Sequence, residues 1–291
     1  MRKNIFLLGA LLAVSTATMA QTKQGGISAQ MLSQIEKMQK TSAADKALFN
    51  AIAANSIDDL VKNRANAGSV DTHFSVETPA QRIHNQKSSG RCWMFSGMNV
   101  LRANFAKAHA DSLAVEFSQD YLFFYDQLEK ANLMLQGVID HARKSIEDPQ
   151  VQFFFKSPLN DGGTFCGVAD LAAKYGLVPM SAMPETYSSE NTNKMSRLVA
   201  SKLREYGLEL RRMAAAGKNA KQIAARKTEM LATVYHMLCL TLGEPAKEFS
   251  YAFRNKDGKQ MGDAKTYTPK SFYDATVGKE LNGTFIMVMN D

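Results

Sequence analysis

A cysteine with a side-chain amide six residues before it is the strongest chemical signal in this 291-residue sequence. Cys92 begins a segment with helical apolar spacing, and Gln86 precedes it in the run Gln-Lys-Ser-Ser-Gly-Arg-Cys-Trp-Met-Phe-Ser at residues 86–96. A thiol attacks a carbonyl as its thiolate, which the positive potential of a helix N-terminus favours. The Cys92 backbone N–H and the Gln86 amide can donate to the oxyanion that forms, and Gly90 lets the loop between them fold back. The pattern predicts a nucleophilic thiol for acyl transfer.

The same run resembles the active-site segment of papain-type cysteine peptidases, and it is most similar to the bleomycin hydrolase and bacterial aminopeptidase C group. The likeness covers essentially everything after residue 20. It includes Phe-Ser-Gln-x-Tyr-Leu-Phe-Phe at 117–124, Asn-Asp-Gly-Gly at 160–163, Lys-Tyr-Gly-Leu-Val-Pro at 174–179, Pro-Glu-Thr-Tyr-Ser-Ser-Glu at 184–190, Leu-Gly-Glu-Pro at 242–245 and Val-Met-Asn-Asp at 288–291.

This resemblance implies an α+β papain-like fold and a cysteine aminopeptidase that acts on peptides through an acyl-enzyme. It implies Cys92 as nucleophile, Gln86 as oxyanion donor, and Gly162 and Gly163 as the loop whose backbone binds the substrate chain. A plain turn is the alternative for the glycine pair, and Trp93 is expected to pack behind the cysteine. The resemblance also implies a homohexamer, and no cofactor or metal is expected.

The histidine and asparagine that complete a papain-type site are harder to find. His236 stands 144 residues after Cys92, within the 130–150 residues seen in papain itself. We do not assign it, because it lies in a helical run and no Asn-Ser-Trp follows. In the bleomycin hydrolase group a helical insertion moves both residues further along, and residues 191–242 resemble that insertion. We therefore expect both beyond Asp291 and the chain to be a fragment; the alternative is a non-catalytic papain-like binding or structural module.

Other reactive side chains receive weaker assignments. The remaining histidines read as surface or core residues; they are His73, His84, His109 and His141. Cys166 and Cys239 fall on amphipathic helices and are expected to be buried small apolar residues. Lys87 and Arg91 flank the nucleophile, where they could favour the thiolate or attract an acidic substrate; solvated loop charges are the alternative.

The first twenty residues predict a cleavable signal peptide, with Arg2 and Lys3 before an apolar run of about ten residues and small residues at the cleavage point. That run is too short to span a bilayer. We expect an exported protein, in a bacterial periplasm, with no membrane span after removal of the signal. The formal net charge of +7 is spread along the chain, so a nucleic-acid partner is only a third alternative.

Helical periodicity, caps and turn residues predict the helices and turns, and the family resemblance implies how they group into domains. Residues 21–75 form an N-terminal helical extension, in which Ser28 and Ser56 begin helices. Residues 76–190 form the papain-like half, with helices over 93–110, 119–144 and 164–175. Residues 191–245 form a helical hairpin, with Ser189 capping its first helix. Residues 246–291 begin the β-rich part, with a hairpin around Asp257 and Gly258, a helix from Thr268 and a strand over 284–289.

Overall fold

A computed structural model of the chain describes residues 26–63, 65, 68, 71, 73–78, 82–109, 113–255 and 257–281. The predicted signal peptide and the predicted strand over 284–289 lie outside these residues. The chain divides into two compact units, one up to His73 and one from Phe74 onward.

Three helices make up the described part of the first unit, and serine begins each of them. Helix α1 spans Ala29–Met38, α2 spans Ala43–Ala54 and α3 spans Ile57–Leu60. The Ser28 side chain accepts a hydrogen bond from the Met31 N–H at 3.1 Å, which satisfies one of the N–H groups that a helix start leaves unbonded. The predicted starts at Ser28 and Ser56 are confirmed.

The second unit carries most of the secondary structure and the buried core. Its helices are α4 (Cys92–Ala108), α5 (Gln119–Asp140), α6 (Pro149–Lys156), α7 (Phe165–Tyr175), α8 (Tyr187–Glu190), α9 (Thr192–Ala215), α10 (Ala220–Leu242), α11 (Pro269–Thr276) and α12 (Gly278–Leu281). Within the described residues its strands are β1 (Phe249–Tyr251) and β2 (Lys265–Tyr267), which pair antiparallel with Phe249 opposite Tyr267. The predicted α+β class and the predicted hairpin are confirmed.

Helix α5 lies at the centre of this unit. It packs against α4, α7, α9 and α10. Helices α9 and α10 form the predicted helical hairpin. Tyr121 and Phe124 are buried, and Tyr125 stacks on Tyr175 with 3.9 Å between ring centroids. The aromatic residues of α5 therefore serve packing, as expected from their spacing.

The end of α5 and the presence of α6 differ from the sequence prediction. Helix α5 ends at Asp140 rather than near residue 144, because Arg211 of α9 donates to the carbonyls of His141 and Lys144 and so stabilises a turn there. Helix α6 was not predicted, although Asp148 and Pro149 are a cap and a first helical residue.

The predicted cap at Ser189 is wrong. Ser189 belongs to the short helix α8, in which it forms a reciprocal capping box with Thr186. The helix does not continue into α9 because the Glu190 carbonyl accepts a hydrogen bond from the Ser88 N–H at 2.9 Å. A contact with the nucleophile loop thus separates α8 from α9.

Within the described residues, no helix combines the length and the apolar character needed to cross a bilayer.

Truncation of one buried leucine tests the packing of the hairpin. Leu203 of α9 is fully buried, whereas Leu208 on the same helix is 42% exposed. Leu203→Ala should lower the free energy of unfolding by about 2–5 kcal/mol, because it removes buried apolar atoms and leaves a cavity. Leu208→Ala is the matched control and should change it by less than about 1 kcal/mol. Urea unfolding measures both, and equal losses would contradict the packing described.

Candidate active site

Cys92 is the first residue of α4, and its side chain is exposed with its thiol outside any disulfide. The helix begins there because the Arg91 carbonyl accepts hydrogen bonds from the Met94 and Phe95 N–H groups at 2.9 and 3.0 Å. Met94, Met98 and other apolar residues at helical spacing anchor α4 in the core. The thiol therefore lies at the positive end of a 17-residue helix.

The Gln86 side chain is held by the loop that leads to Cys92. Gln86 Nε2 donates to the Ser89 carbonyl at 2.6 Å, and Ser89 Oγ donates back to the Gln86 carbonyl at 2.7 Å. An amide has two N–H groups, so Gln86 keeps a second donor. Lys87 has a left-handed backbone, with φ at 54°, and its N–H donates to Asn85 Oδ1 at 2.7 Å. Such a conformation is costly for a residue with a side chain and persists where its surroundings impose it.

Arg91 is not a solvated loop charge, and that alternative is wrong. Its side chain is fully buried and makes a bidentate ion pair with Glu185, with donor–acceptor distances of 3.1 and 2.8 Å. The guanidinium lies over the rings of Phe95 and Phe123 at 5.1 and 5.2 Å. Its Nε donates to Ser89 Oγ at 3.1 Å. The residue before the nucleophile is therefore bonded both to a distant carboxylate and to the loop that carries Gln86.

Asp161 joins three parts of the site. Its Oδ2 accepts a hydrogen bond from the Gly90 N–H at 3.0 Å, and also from Thr192 Oγ1 at the start of α9. Its Oδ1 accepts from Ser196 Oγ at 3.3 Å, and its carbonyl accepts from the Trp93 indole N–H at 2.6 Å. Asp161 thus connects the nucleophile loop and α4 with the helical hairpin, a role that sequence reasoning did not assign.

The two glycines that follow Asp161 differ in their surroundings. A Cβ on Gly163 would lie 2.6 Å from the Trp93 ring, so close packing of Trp93 requires glycine there. The prediction that Trp93 is a packing residue is confirmed. A Cβ on Gly162 would meet only Asn160 Oδ1, at 3.4 Å. The Gly162 carbonyl accepts from Lys130 Nζ at 2.6 Å. The exposed Gly163 keeps its backbone N–H and carbonyl without partners among the described residues, which suits pairing with an extended chain.

The histidines have other contacts. His109 and His141 cap the ends of α4 and α5, each with Nδ1 at 2.8 Å from a carbonyl of the last turn. His84 lies against Arg102, and burial together with that guanidinium lowers its pKa. His236 lies on the exposed face of α10, so its predicted helical position is confirmed. His73 belongs to the first unit and is exposed. No hydrogen bond joins Cys92 to a histidine of the described residues.

The remaining cysteines lie on helices, as predicted. Cys166 on α7 and Cys239 on α10 are half-buried rather than fully buried. Burial raises the pKa of the Cys239 thiol. Among the described residues, no group of three His, Cys, Asp or Glu side chains is arranged to hold a metal ion.

A buried carboxyl near the Arg91–Glu185 ion pair was not indicated by the sequence. Asp120 of α5 is fully buried, and neither of its side-chain oxygens has a hydrogen-bond partner among the described residues. Burial and, to a lesser degree, the Glu185 carboxylate raise the pKa of Asp120 to about 8, although Arg91 acts in the opposite sense. At neutral pH the group is therefore mostly protonated, which spares the protein an unpaired buried charge.

Comparison with known proteins places these features in a family context. The family model described as "Peptidase C1-like family" matches residues 26–291. Aminopeptidase C of Lactobacillus delbrueckii subsp. lactis is 37% identical over 241 residues, which are 83% of this chain and 53% of that protein. Bleomycin hydrolase of Homo sapiens is 37% identical over 201 residues, which are 68% of this chain and 44% of that protein. The chain spans about half the length of the relatives it matches.

A solved structure shares the fold. The crystal structure of PepW from Lactobacillus rhamnosis HN001 superposes with a TM-score of 0.80 at 34% sequence identity, and the match covers 89% of this chain and 58% of that one. The resemblance predicted from the motifs is confirmed.

The raised pKa of Asp120 predicts a pH-dependent stability. Between the usual carboxyl pKa of about 4 and the folded value of about 8, the folded protein keeps a proton that the unfolded chain releases. The free energy of unfolding should therefore fall as pH rises through this window, by at most about 1.4 kcal/mol per pH unit for one proton. Asp120→Asn removes this group and should flatten the slope.

Urea unfolding at intervals from pH 5 to pH 8 measures the effect. Asp170→Asn, on an exposed position of α7, is the control for loss of a surface carboxyl. Parallel pH profiles for the Asp120→Asn variant and the wild type would contradict the assignment.

Proposed function

The chain belongs to the Peptidase C1-like family, and on that premise we propose that Cys92 is the nucleophile of a cysteine aminopeptidase. In this reaction Cys92 Sγ attacks the carbonyl carbon of a peptide bond, and the amine leaves with a proton. Water then hydrolyses the thioester and regenerates the thiol. The observation that carries the proposal is the exposed Cys92 thiol on the first residue of α4, six residues after a Gln86 amide that keeps one N–H without a partner among the described residues.

The geometry supports a role for both ends of the nucleophile loop. The Cys92 backbone N–H is one of those that a helix start leaves unbonded. The Gln86 side-chain amide is held by its hydrogen bond to the Ser89 carbonyl, and Ser89 Oγ holds the Gln86 backbone carbonyl. Two such donors stabilise the negative oxygen of a tetrahedral intermediate, and loss of one costs about 2.7–4 kcal/mol of transition-state stabilisation. The free backbone groups of Gly163 support the binding of an extended peptide beside the thiol.

The class of reaction rests on the names of the relatives. One relative is described as Aminopeptidase C and is 37% identical to this chain, and another is described as Aminopeptidase G and is 36% identical. We therefore propose peptides with a free amino end as substrates. We do not assign the general base to any of the histidines at 73, 84, 109, 141 and 236, and the homohexamer stays a prediction.

Protection of Cys92 by an aminoacyl aldehyde tests the proposal without needing a complete turnover. The thiol adds to the aldehyde carbon, and the new hydroxyl or oxyanion occupies the position that the Gln86 and Cys92 donors serve. The aldehyde should protect Cys92 from iodoacetamide but leave Cys239 unprotected, and mass spectrometry of the peptides measures both. Gln86→Ala should raise the aldehyde concentration that gives half-maximal protection of Cys92 by about 10²-fold, because one oxyanion donor is lost.

The matched control is Gln34→Ala, at an exposed position of α1, which should leave that concentration unchanged. Protection of Cys92 no stronger than that of Cys239 would contradict the proposal and favour a non-catalytic papain-like module.

A further inference from the structure

We propose that a basic cleft beside the nucleophile loop binds an acidic side chain, Asp or Glu, of the peptide substrate. The basic cleft is the groove between residues 87–90, residues 156–159, Asp161 and the first half of α9. The inference rests on the proposed function, because it assigns a substrate class to that same site. Two observations support the inference: the charges of the cleft and the position of the cleft in the fold.

The place of the cleft relates it directly to the reacting groups. One wall consists of residues 87–90, which join Gln86 to Cys92 in the chain. The lining also includes Asp161, which accepts the hydrogen bond of the Gly90 N–H and is followed at once by Gly162 and Gly163. The cleft therefore adjoins both the loop that holds the reacting carbonyl and the backbone that can pair with the substrate. This adjacency is the reason for assigning the cleft to a side chain of a substrate residue near the reacting bond.

The charge of the cleft is strongly one-sided. Four cationic side chains line it, Lys87, Lys156, Arg197 and Arg204, against the single carboxylate of Asp161. The Asp161 carboxylate already accepts hydrogen bonds from Gly90, Thr192 and Ser196. Four cations and one carboxylate leave the lining with a formal net charge of 4 − 1 = +3, so the cleft presents a positive potential.

Three of the four cations are available to a ligand. Lys87, Lys156 and Arg197 are exposed and make no ion pair with a carboxylate of the described residues. Arg204 is held in place, because it donates to the carbonyls of Phe155 and Lys156 at 2.8 and 3.1 Å.

Polar groups without charge complete the lining. Ser88, Ser157 and Asn193 supply hydroxyl and amide donors, and Asn193 lies in the first turn of the 24-residue helix α9. The cap residue of that helix makes no side-chain hydrogen bond to its N–H groups. A carboxylate accepts hydrogen bonds only, and it is favoured near a positive helix end. The lining therefore matches an acidic side chain better than its neutral amide counterpart.

Two reagents that differ only in charge test the inference. The reagents are Gly-Glu chloromethyl ketone and Gly-Gln chloromethyl ketone, which both alkylate thiols. In the reaction Cys92 Sγ displaces chloride and forms a carbon–sulfur bond. We expect the second-order rate constant at Cys92 to be about tenfold higher for the Glu reagent at low salt, because exposed ion pairs are individually weak and several act together. The ratio should fall toward one as salt is added.

The double variant Lys156→Gln/Arg197→Gln should bring the ratio of the two rate constants close to one. The double variant Lys218→Gln/Lys221→Gln is the matched control, because it removes the same charge at exposed positions near the turn between α9 and α10 and should keep the ratio. Mass spectrometry of the Cys92 peptide measures the rate constants of both reagents for the wild type and for each double variant.

The outcomes separate this inference from the function on which it rests. Equal rate constants for the two reagents, both faster at Cys92 than at a free cysteine peptide, overturn the inference alone. Rates at Cys92 no faster than at the free peptide overturn the proposed function and the inference with it. A high ratio that the Lys156→Gln/Arg197→Gln variant retains assigns the preference to other residues and overturns the basic cleft as its source.

Discussion

The buried ion pair between Arg91 and Glu185 is the interaction on which the arrangement of the site depends. The guanidinium is shielded from water and lies between Phe95 and Phe123, and Glu185 receives a further hydrogen bond from Ser189 Oγ at 2.6 Å. Removal of one partner from such a pair costs about 3–5 kcal/mol, because it leaves a buried charge without compensation. The pair therefore tolerates little displacement.

Its position explains why it matters for chemistry. Arg91 is covalently next to Cys92, and through Ser89 it is two hydrogen bonds from Gln86. One guanidinium thus fixes the nucleophile and the oxyanion donor relative to the same carboxylate. Asp161 performs a similar task at the other side of the loop, because its carboxylate binds Gly90 and the first turn of α9 together. The helical hairpin is therefore tied to the nucleophile loop through hydrogen bonds to Asp161.

Much of this fold follows from local sequence signals, and the exceptions have a common cause. Helices begin where the side chains of Ser28, Asn219 and Thr268 cap the first turn. Helices α7 and α10 end at Gly176 and Gly243, both of which have positive φ. These interactions lie within a few residues along the chain. The burial of Arg91 could not be predicted, because its partner is 94 residues away. The break between α8 and α9 likewise depends on Ser88, about a hundred residues earlier in the sequence.

The same distinction applies to the candidate site. The spacing of Gln86, Gly90 and Cys92 predicted the loop and the helix start, since these belong to one segment. The sequence identified the Asn-Asp-Gly-Gly motif as a unit, but the role of each residue in it depends on contacts with residues elsewhere in the chain. Gly163 accommodates the Trp93 ring, Asp161 joins three segments, and Lys130 of α5 holds the Gly162 carbonyl. Each of these roles needs a partner from another part of the chain.

The rate at which a neutral peptide chloromethyl ketone alkylates Cys92 in a Glu185→Gln variant tests the central claim most directly. If the ion pair fixes the nucleophile loop, the rate constant should fall by about 10²-fold relative to wild type, because small displacements of reacting groups cost that much. Circular dichroism checks that the variant is folded in the same buffer. A folded variant whose Cys92 reacts within twofold of the wild-type rate would contradict the account.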